Sequence, residues 1–259
     1  MDVKNTASAL GEAIGKIIEN ELESTLRPIC EKFGYIYDRG GERPGKRKGI
    51  KLSMVNRSGI SYQLDAVIET PGEVPIVLIE SKYLRYKKHN RDKASWTCAS
   101  HYRLRKTYPS IRKSIAVLSG NWSEPSKRFM ESFGIELYEI SFHEMCSILG
   151  EFKIQFDWDE KDKKTPDLSW SRFKQFTDAE KKEIGRRLIA PIREVIVSSV
   201  KLTLQGGEDW IKRLSEIEVL LQTERNEFFN YTFKTTQEAI KFLVDLQMDV
   251  PDLRDRLKR

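Results

Sequence analysis

The segment from Tyr62 to Lys82, which reads YQLDAVIETPGEVPIVLIESK, places ionisable side chains within and at the end of apolar strands. Asp65 stands inside the first apolar run, and a second run, Val74 to Ile79, leads directly into Glu80 and Lys82. Alternate residues of a strand point to the same face, so Glu80 and Lys82 emerge side by side. A hairpin between the two runs brings Asp65 beside them. Buried charges are costly unless a metal ion and a substrate use them.

Apolar periodicity predicts the elements around this segment. A helix is expected from about 8 to 33, where apolar residues recur at steps of three and four. The further predictions are strands at 35–38, 50–55, 62–68 and 76–84, a helix at 92–107, a strand at 114–118, a helix at 123–133, a strand at 135–140 and a short helix at 143–149. The strand–helix–strand unit near 114–140 predicts parallel pairing at that end of the sheet.

Positive charge is concentrated around the acidic motif. The stretch from Arg39 to Lys113 holds 18 Lys and Arg residues against 6 Asp and Glu residues, whereas the whole chain has a net charge of +6. This asymmetry favours a polyanionic partner such as nucleic acid, with a solvated basic surface as the alternative. The residues expected to contact nucleic acid are Arg43, Lys46, Arg47, Lys48, Arg85, Lys87, Lys88, Arg91 and Lys93. Trp96 and Tyr102 are expected to face the core.

A composition break near 157–170 suggests a domain boundary. This stretch is charged, lacks a sustained period and contains Pro166. The expected organisation is a core at 1–156, a linker at 157–170 and an appendage at 171–259 for dimerisation, DNA or regulatory contacts. The appendage is expected to be mainly helical, with a β-hairpin across Glu224–Asn226 and a final helix capped by Thr235 and Glu238.

Several classes of protein lack support in the sequence. No apolar run approaches the roughly 20 residues of a membrane span, and the N-terminus does not resemble a secretory signal. The three cysteines and three histidines are scattered, which argues against a zinc site and favours a reducing cytoplasm. Phosphate-binding loops of the GxxxxGK[ST] type are also missing, so no small-molecule cofactor is expected.

The order helix, strands with Asp65, strand with Glu80 and Lys82, helix, strand, helix, strand resembles the PD-(D/E)XK nuclease superfamily over residues 10–145. The resemblance implies an α/β fold of the restriction-endonuclease type, with a mixed central β-sheet flanked by helices. Leu64 replaces the proline that precedes the first carboxylate in many members. The implied activity is Mg²⁺-dependent hydrolysis of DNA, with Mn²⁺ as a substitute for Mg²⁺.

The same resemblance assigns roles to individual residues. Asp65 and Glu80 are the expected metal ligands and Lys82 the catalytic lysine. Many members add a glutamate on the first helix, for which Glu19 is the first candidate and Glu23 the second. Physical chemistry supports these roles, because carboxylate oxygens suit Mg²⁺ and a cation stabilises the charge that develops at a phosphodiester. Lys82 could act as a base only with a pKa far below its usual value of about 10.4.

Other interpretations of these residues remain open. Asp65 could cap a turn, and Glu80 with Lys82 could be a simple ion pair on an edge strand. At the level of function, the expected subtype is a type II restriction endonuclease acting on double-stranded DNA as a homodimer. A repair or recombination nuclease, such as a junction resolvase, and a non-catalytic DNA-binding protein on a nuclease-like fold are the alternatives.

Overall fold

The computed structural model describes residues 5–43, 47, 49, 51–86, 89–206 and 216–248. The chain divides into two compact units, one through Gly206 and the other from Gly207 onward. In the first unit, helices flank a mixed central sheet, as expected for an α/β protein. Its helices are α1 (Thr6–Lys32), α2 (Asn90–Thr107), α3 (Glu124–Ser132), α4 (Phe142–Glu151), α5 (Lys164–Lys174) and α6 (Asp178–Gln205).

The central sheet has five strands, and a separate pair of strands lies outside it. The strands of the first unit are β1 (Ile36–Arg39), β2 (Leu52–Val55), β3 (Ser61–Leu64), β4 (Ala66–Glu69), β5 (Pro75–Leu84), β6 (Lys113–Gly120) and β7 (Ile135–Ser141). The order in the central sheet is β1-β4-β5-β6-β7. Strands β1, β4 and β5 pair antiparallel, whereas β5, β6 and β7 pair parallel, which confirms the predicted parallel end.

The predicted strand at 62–68 is divided in two at Asp65. Strand β3 pairs antiparallel with β2 in the separate hairpin, whereas β4 continues in the central sheet. The alternate residues Tyr62 and Leu64 of β3 are buried in a cluster that includes Leu104 of α2. The hairpin therefore leaves the plane of the sheet to cover α2, and Asp65 occupies the bend between the two sheets.

Helices cover both faces of the central sheet. Helices α1, α4, α5 and α6 contribute to one apolar cluster with Val77 and Ile79 of β5. Leu78, the residue between them, belongs to a cluster on the opposite face with the hairpin and α2. Burial on both faces explains why the β5 sequence is a continuous apolar run rather than an alternating one.

The predicted linker at 157–170 is wrong, because this stretch belongs to the first unit. Phe156 and Trp158 are buried, and α5 begins at Lys164 within the expected linker. Pro166 lies in the first turn of α5, where backbone N–H groups have no partner within the helix, so it does not interrupt the helix. A composition break therefore did not mark a structural boundary here.

Helix α6 belongs to the first unit, so the boundary between the two units lies near residue 206. It packs along α1 so closely that a Cβ atom added at Gly185 would lie 3.1 Å from Cγ2 of Ile17. Its buried aliphatic residues join the same core as those of α1: Ile184, Leu188, Ile189, Ile192, Ile196 and Val200. The core is consequently not complete at residue 156.

The second unit contains a β-hairpin and one helix among its described residues. The hairpin is formed by β8 (Ile217–Gln222) and β9 (Phe228–Phe233), and α7 (Thr236–Met248) follows. The Phe242 ring lies 4.4 Å from the Tyr231 ring and 5.0 Å from the Phe233 ring, between centroids. The predicted hairpin and capped final helix are both confirmed. Throughout the described part of the chain, no helix has the length and apolar character needed to cross a bilayer.

The position of the boundary predicts how truncated chains behave. We expect a chain ending at Gly206 to unfold cooperatively, with a Tm within a few degrees of that of the corresponding transition in the full chain. A chain ending at Phe156 loses α6 and exposes its aliphatic partners on α1, at about 1.5–3 kcal/mol for each side chain uncovered. Thermal circular dichroism should therefore show no cooperative transition for the shorter chain. A cooperative 1–156 fragment would contradict the assignment of α6 to the core.

Candidate active site

Strand pairing brings Asp65 next to Glu80. The antiparallel register of β4 and β5 pairs Ala66 with Ile79. Asp65, one residue before Ala66, therefore lies opposite Glu80, one residue after Ile79. Lys82 follows two residues later on β5 and lies on the same face as Glu80. The convergence that the sequence predicted for these three residues is therefore present in the structure.

The three side chains form one compact ionic cluster. Lys82 Nζ donates to Asp65 Oδ2 at 2.8 Å and lies 2.5 Å from Glu80 Oε2. The Ser81 backbone N–H also donates to Asp65 Oδ2, at 2.8 Å. The Glu80 side chain is 2% exposed, whereas those of Asp65 and Lys82 are 28% and 23% exposed. The cluster thus has a buried end at Glu80 and a solvent-facing end at Asp65 and Lys82.

Burial and mutual attraction displace the pKa of each member. Burial raises the pKa of Glu80 well above its ordinary value, although the Lys82 ammonium opposes this. Burial also disfavours ionised Asp65, but its hydrogen bond with Glu80 and the charge of Lys82 together hold its pKa below the usual range. For Lys82, burial lowers the pKa, but the two carboxylates outweigh it and raise the pKa overall. Lys82 is therefore a cation here and not a free base.

The donor set of the cluster fits a hard divalent cation. Mg²⁺ is commonly bound by one or two carboxylates and completes its shell with water and substrate phosphate oxygens. Asp65 and Glu80 supply two such carboxylates, and Glu80 Oε2 accepts no well-aligned hydrogen bond from the described residues. The described part of the chain contains no group of three or more His, Cys, Asp or Glu residues positioned for a metal. Any Mg²⁺ held here would therefore depend on water and substrate for its remaining ligands.

Of the two glutamates expected on the first helix, Glu19 faces the cluster. It lines a cleft of about 220 Å³ together with Asp65 and Ser81, and its carboxylate accepts from Lys16 Nζ at 3.0 Å. Glu23 instead forms ion pairs with Arg27 and, at 2.7 Å, with Arg39. The geometry favours Glu19 over Glu23 as a third carboxylate at this site.

A larger groove of about 1050 Å³ extends from Glu19 and Ser81 along the N-terminal half of α1. Its described lining includes only three Lys or Arg residues, and the Arg85 side chain among them is 10% exposed. Its carboxylates are Glu12, Glu19, Glu160, Asp162 and Asp167. Among the described lining residues, negative charge is therefore in excess, which makes their surface unfavourable for a polyanion.

Two arginines expected to contact nucleic acid are engaged inside the protein instead. Arg47 donates to both carboxylate oxygens of Asp38, at 2.9 and 3.1 Å, and to the backbone carbonyls of Arg39 and Gly41. Arg43 forms ion pairs with Asp38, at 3.0 Å, and with Glu69. These contacts fasten the loop after β1 to the edge of the sheet, whereas nucleic-acid contact by Arg43 and Arg47 stays a prediction. Lys46 and Lys48 lie outside the described residues.

Arg85 is also a structural residue. Its guanidinium donates to the carbonyls of Phe156 at 2.6 Å and Trp158 at 3.0 Å, and lies 3.6 Å from the Trp158 ring centroid. Its donors hold the segment before α5, whereas its role in phosphate contact stays a prediction. The predicted Lys87 and Lys88 lie outside the described residues, whereas Arg91 and Lys93 are exposed on α2 as a phosphate-contacting role requires.

The inward face of α2 differs from the sequence prediction. Trp96 and Tyr102 are 58% and 41% exposed, whereas Cys98, His101 and Leu104 are buried against the sheet. The helix has few apolar residues, so the sequence analysis assigned its large aromatic side chains to the buried face. The three-residue spacing of Cys98, His101 and Leu104 does indicate the face that is buried.

His101 is a buried ionisable residue that the sequence analysis did not select. Neither ring nitrogen has a hydrogen-bond partner among the described residues. Burial, together with the charges of Arg105 and Lys82, lowers the pKa of His101 to about 3, against a smaller opposing effect of Asp65. The imidazole is consequently neutral at physiological pH and adds no charge behind the ionic cluster.

Comparisons with known proteins leave the family open. No protein-family model and no curated protein sequence matches the chain. Among solved structures, the chain is similar to "Protein of Unknown Function AF1548" with 17% sequence identity and a TM-score of 0.32. That match covers 74% of this chain and all of the other.

The engagement of Arg85 predicts a loss of stability on its removal. We expect Arg85→Met to lower the free energy of unfolding by about 2–4 kcal/mol, because it leaves two buried carbonyls without their charged donor. Arg91→Met, at an exposed position on α2, should change it by no more than about 0.5 kcal/mol. Urea denaturation at pH 7 measures both. Equal stability of Arg85→Met and the wild type would contradict the structural role of Arg85.

The low pKa of His101 predicts a pH-dependent stability. Because the unfolded chain binds a proton near pH 6.5 and the folded chain does so only near pH 3, acid favours unfolding between these values. His101 should lower the free energy of unfolding by about 1.4 kcal/mol for each pH unit below 6.5. Urea denaturation at pH 7 and pH 5 should therefore show a smaller acid loss in His101→Gln than in the wild type. Exposed His143→Gln is the control, and equal slopes in all three proteins would refute the assignment.

Proposed function

We propose that this protein is a Mg²⁺-dependent DNA endonuclease. The observation that carries the proposal is the convergence of Asp65, Glu80 and Lys82 at adjoining strands, with Lys82 Nζ 2.8 Å from Asp65 Oδ2 and 2.5 Å from Glu80 Oε2. Asp65 lines a cleft that solvent reaches, so a substrate phosphate can approach the exposed end of the cluster.

Phosphodiester hydrolysis requires the functions that such a cluster supplies. Mg²⁺ held by Asp65 and Glu80 would activate water and neutralise charge on the phosphate oxygens. Lys82 is cationic and partly exposed, so it can orient the attacking water and stabilise the charge of the transition state. Glu19, across the cleft from Asp65, can accept a hydrogen bond from a water in the same space.

The order of elements supports a PD-(D/E)XK type of nuclease. A first helix, the strand pair that presents Asp65 and Glu80, and the parallel strands β6 and β7 follow one another as in the resemblance described above. Double-stranded DNA is the proposed substrate, and a type II restriction endonuclease acting as a homodimer in the cytoplasm is the proposed subtype. Branched DNA as substrate would instead indicate a repair or recombination nuclease.

One observation favours a second candidate, a DNA-binding protein on a nuclease-like fold. Lys82 already lies between the two carboxylates and offsets part of their charge without a metal. A cluster that Lys82 holds together in this way persists without a metal, as a structural ion pair would. The two candidates differ in one measurable property, because only the nuclease cleaves DNA when Mg²⁺ is added.

The proposal predicts that each member of the cluster is needed for cleavage. We expect Asp65→Asn, Glu80→Gln and Lys82→Met each to reduce Mg²⁺-dependent cleavage of plasmid DNA by more than about 100-fold, because each removes a charge that acts in the transition state. Asp92→Asn, at an exposed carboxylate of α2, is the matched control and should cleave normally.

Cleavage should be measured with plasmid, linear duplex and branched DNA, with and without Mg²⁺, and thermal melting should confirm that each variant is folded. Normal turnover by folded Asp65→Asn or Glu80→Gln would eliminate the proposed site. Binding of DNA by the wild type without any Mg²⁺-dependent cleavage would favour the non-catalytic candidate.

A further inference from the structure

Helix α2 presents a basic surface to solvent. The four exposed basic residues of the helix are Arg91, Lys93, Arg103 and Lys106, and its only acidic residue is Asp92. The β2–β3 hairpin continues this surface with exposed Lys51 and Arg57, and residues 51–64 include no Asp or Glu. We refer to the exposed side of α2 and this hairpin as the basic face.

The hairpin and α2 are held together along their length. At the tip of the hairpin, the Arg57 backbone N–H donates to Thr107 Oγ1 at 3.2 Å, and the Tyr108 hydroxyl donates to the Val55 carbonyl at 2.9 Å. At its base, the Tyr62 ring lies 6.0 Å from the Trp96 ring, between centroids. The basic face is therefore one continuous surface rather than two independent elements.

Trp96 stands out on this surface because it is 58% exposed, while its neighbour Tyr62 is only 6% exposed. The two rings are inclined at 49°, and much of the indole is open to solvent. An exposed aromatic ring on a surface that carries an excess of cations suits a ligand that has both phosphates and flat bases.

The position of Trp96 relates it to the ionic cluster. Tyr62 precedes Asp65 by three residues, which span about 10 Å of extended chain. The strand that carries Tyr62, the ring neighbour of Trp96, therefore leads directly into the ionic cluster at Asp65.

Charge distinguishes the basic face from the other side of the cluster. The groove along α1 is rich in carboxylates, including Glu12 and Asp162, whereas the basic face carries a clear excess of Lys and Arg. Lys51 belongs to the basic face and also lines the cleft that contains Asp65. A polyanion that reaches the cluster is therefore favoured to approach along the basic face.

We propose that Trp96 stacks on an unpaired base of a nucleic acid strand that lies along the basic face and leads to the ionic cluster. This inference rests on the proposed function, and between its two nuclease subtypes it favours the repair or recombination nuclease, whose DNA has an unstacked base next to the cut. Stacking on an aromatic side chain tolerates any base, because every base has a π-face. Arg91 and Lys93 would contact the adjacent phosphates.

The test is binding of fluorescently labelled DNA by the full chain in EDTA, where no metal-dependent cleavage occurs. The probes are a single strand, a perfect duplex, and the same duplex with one unpaired base. We expect Trp96→Ala to weaken binding to the single strand and to the unpaired-base duplex about tenfold, and to the perfect duplex less than twofold. Trp96→Phe should restore most of the affinity, since it retains an aromatic face.

Leu202→Ala is the matched control, because Leu202 is 67% exposed on α6, away from the basic face. It should bind all three probes like the wild type, and thermal melting should show that every variant is folded. Equal affinity of Trp96→Ala and the wild type for the unpaired-base duplex would overturn the inference. A wild-type protein that binds none of the three probes would overturn it as well.

Cleavage assays with Mg²⁺ separate the two proposals. If the wild type cleaves DNA with Mg²⁺ and Trp96→Ala binds the unpaired-base duplex as tightly as the wild type, the stacking inference is wrong and the nuclease proposal stands. A Trp96-dependent affinity without any cleavage would support the stacking inference and contradict the nuclease.

Discussion

The burial of Glu80 in the centre of the sheet is the constraint on which the surrounding structure depends. A carboxylate that is 1% exposed on a strand covered on both faces loses its hydration and must be neutralised locally. The Lys82 ammonium on the same strand opposes this cost, but it also pairs with Asp65 of the neighbouring chain segment, so burial still raises the pKa of Glu80. The pairing of β4 with β5 and the bend at Asp65 are thus part of one electrostatic arrangement.

Local periodicity was sufficient to predict most of the central sheet and the meeting of Asp65 with Glu80. Continuous apolar runs identify strands buried on both faces, and their order restricts the possible pairing. Tertiary contacts decided the rest. Pro166 suggests a break in the sequence, yet the first turn of a helix accommodates proline. The long apolar stripe of α6 shows that the helix is buried but does not show that α1 is its partner.

Charged residues were the least predictable part of the candidate site. A sequence does not show whether a Lys or Arg side chain faces solvent or binds a neighbouring group of the protein. Arg47 is engaged by Asp38, which lies nine positions earlier, and Arg85 by carbonyls more than 70 positions later. Only the folded chain separates these structural arginines from Arg91 and Lys93, so a basic sequence segment overstated the surface that a polyanion could use.

The bend at Asp65 gives the β2–β3 hairpin a mechanical relation to the ionic cluster. Asp65 is the residue at which the chain passes from the hairpin into the central sheet, and its partner Glu80 belongs to the rigid centre of that sheet. The tip of the hairpin is anchored to the end of α2 by the hydrogen bonds of Arg57 with Thr107 and of Val55 with Tyr108. The contacts that fix the hairpin on α2 therefore also fix where the chain turns at Asp65, and so help to set the position of this carboxylate relative to Glu80.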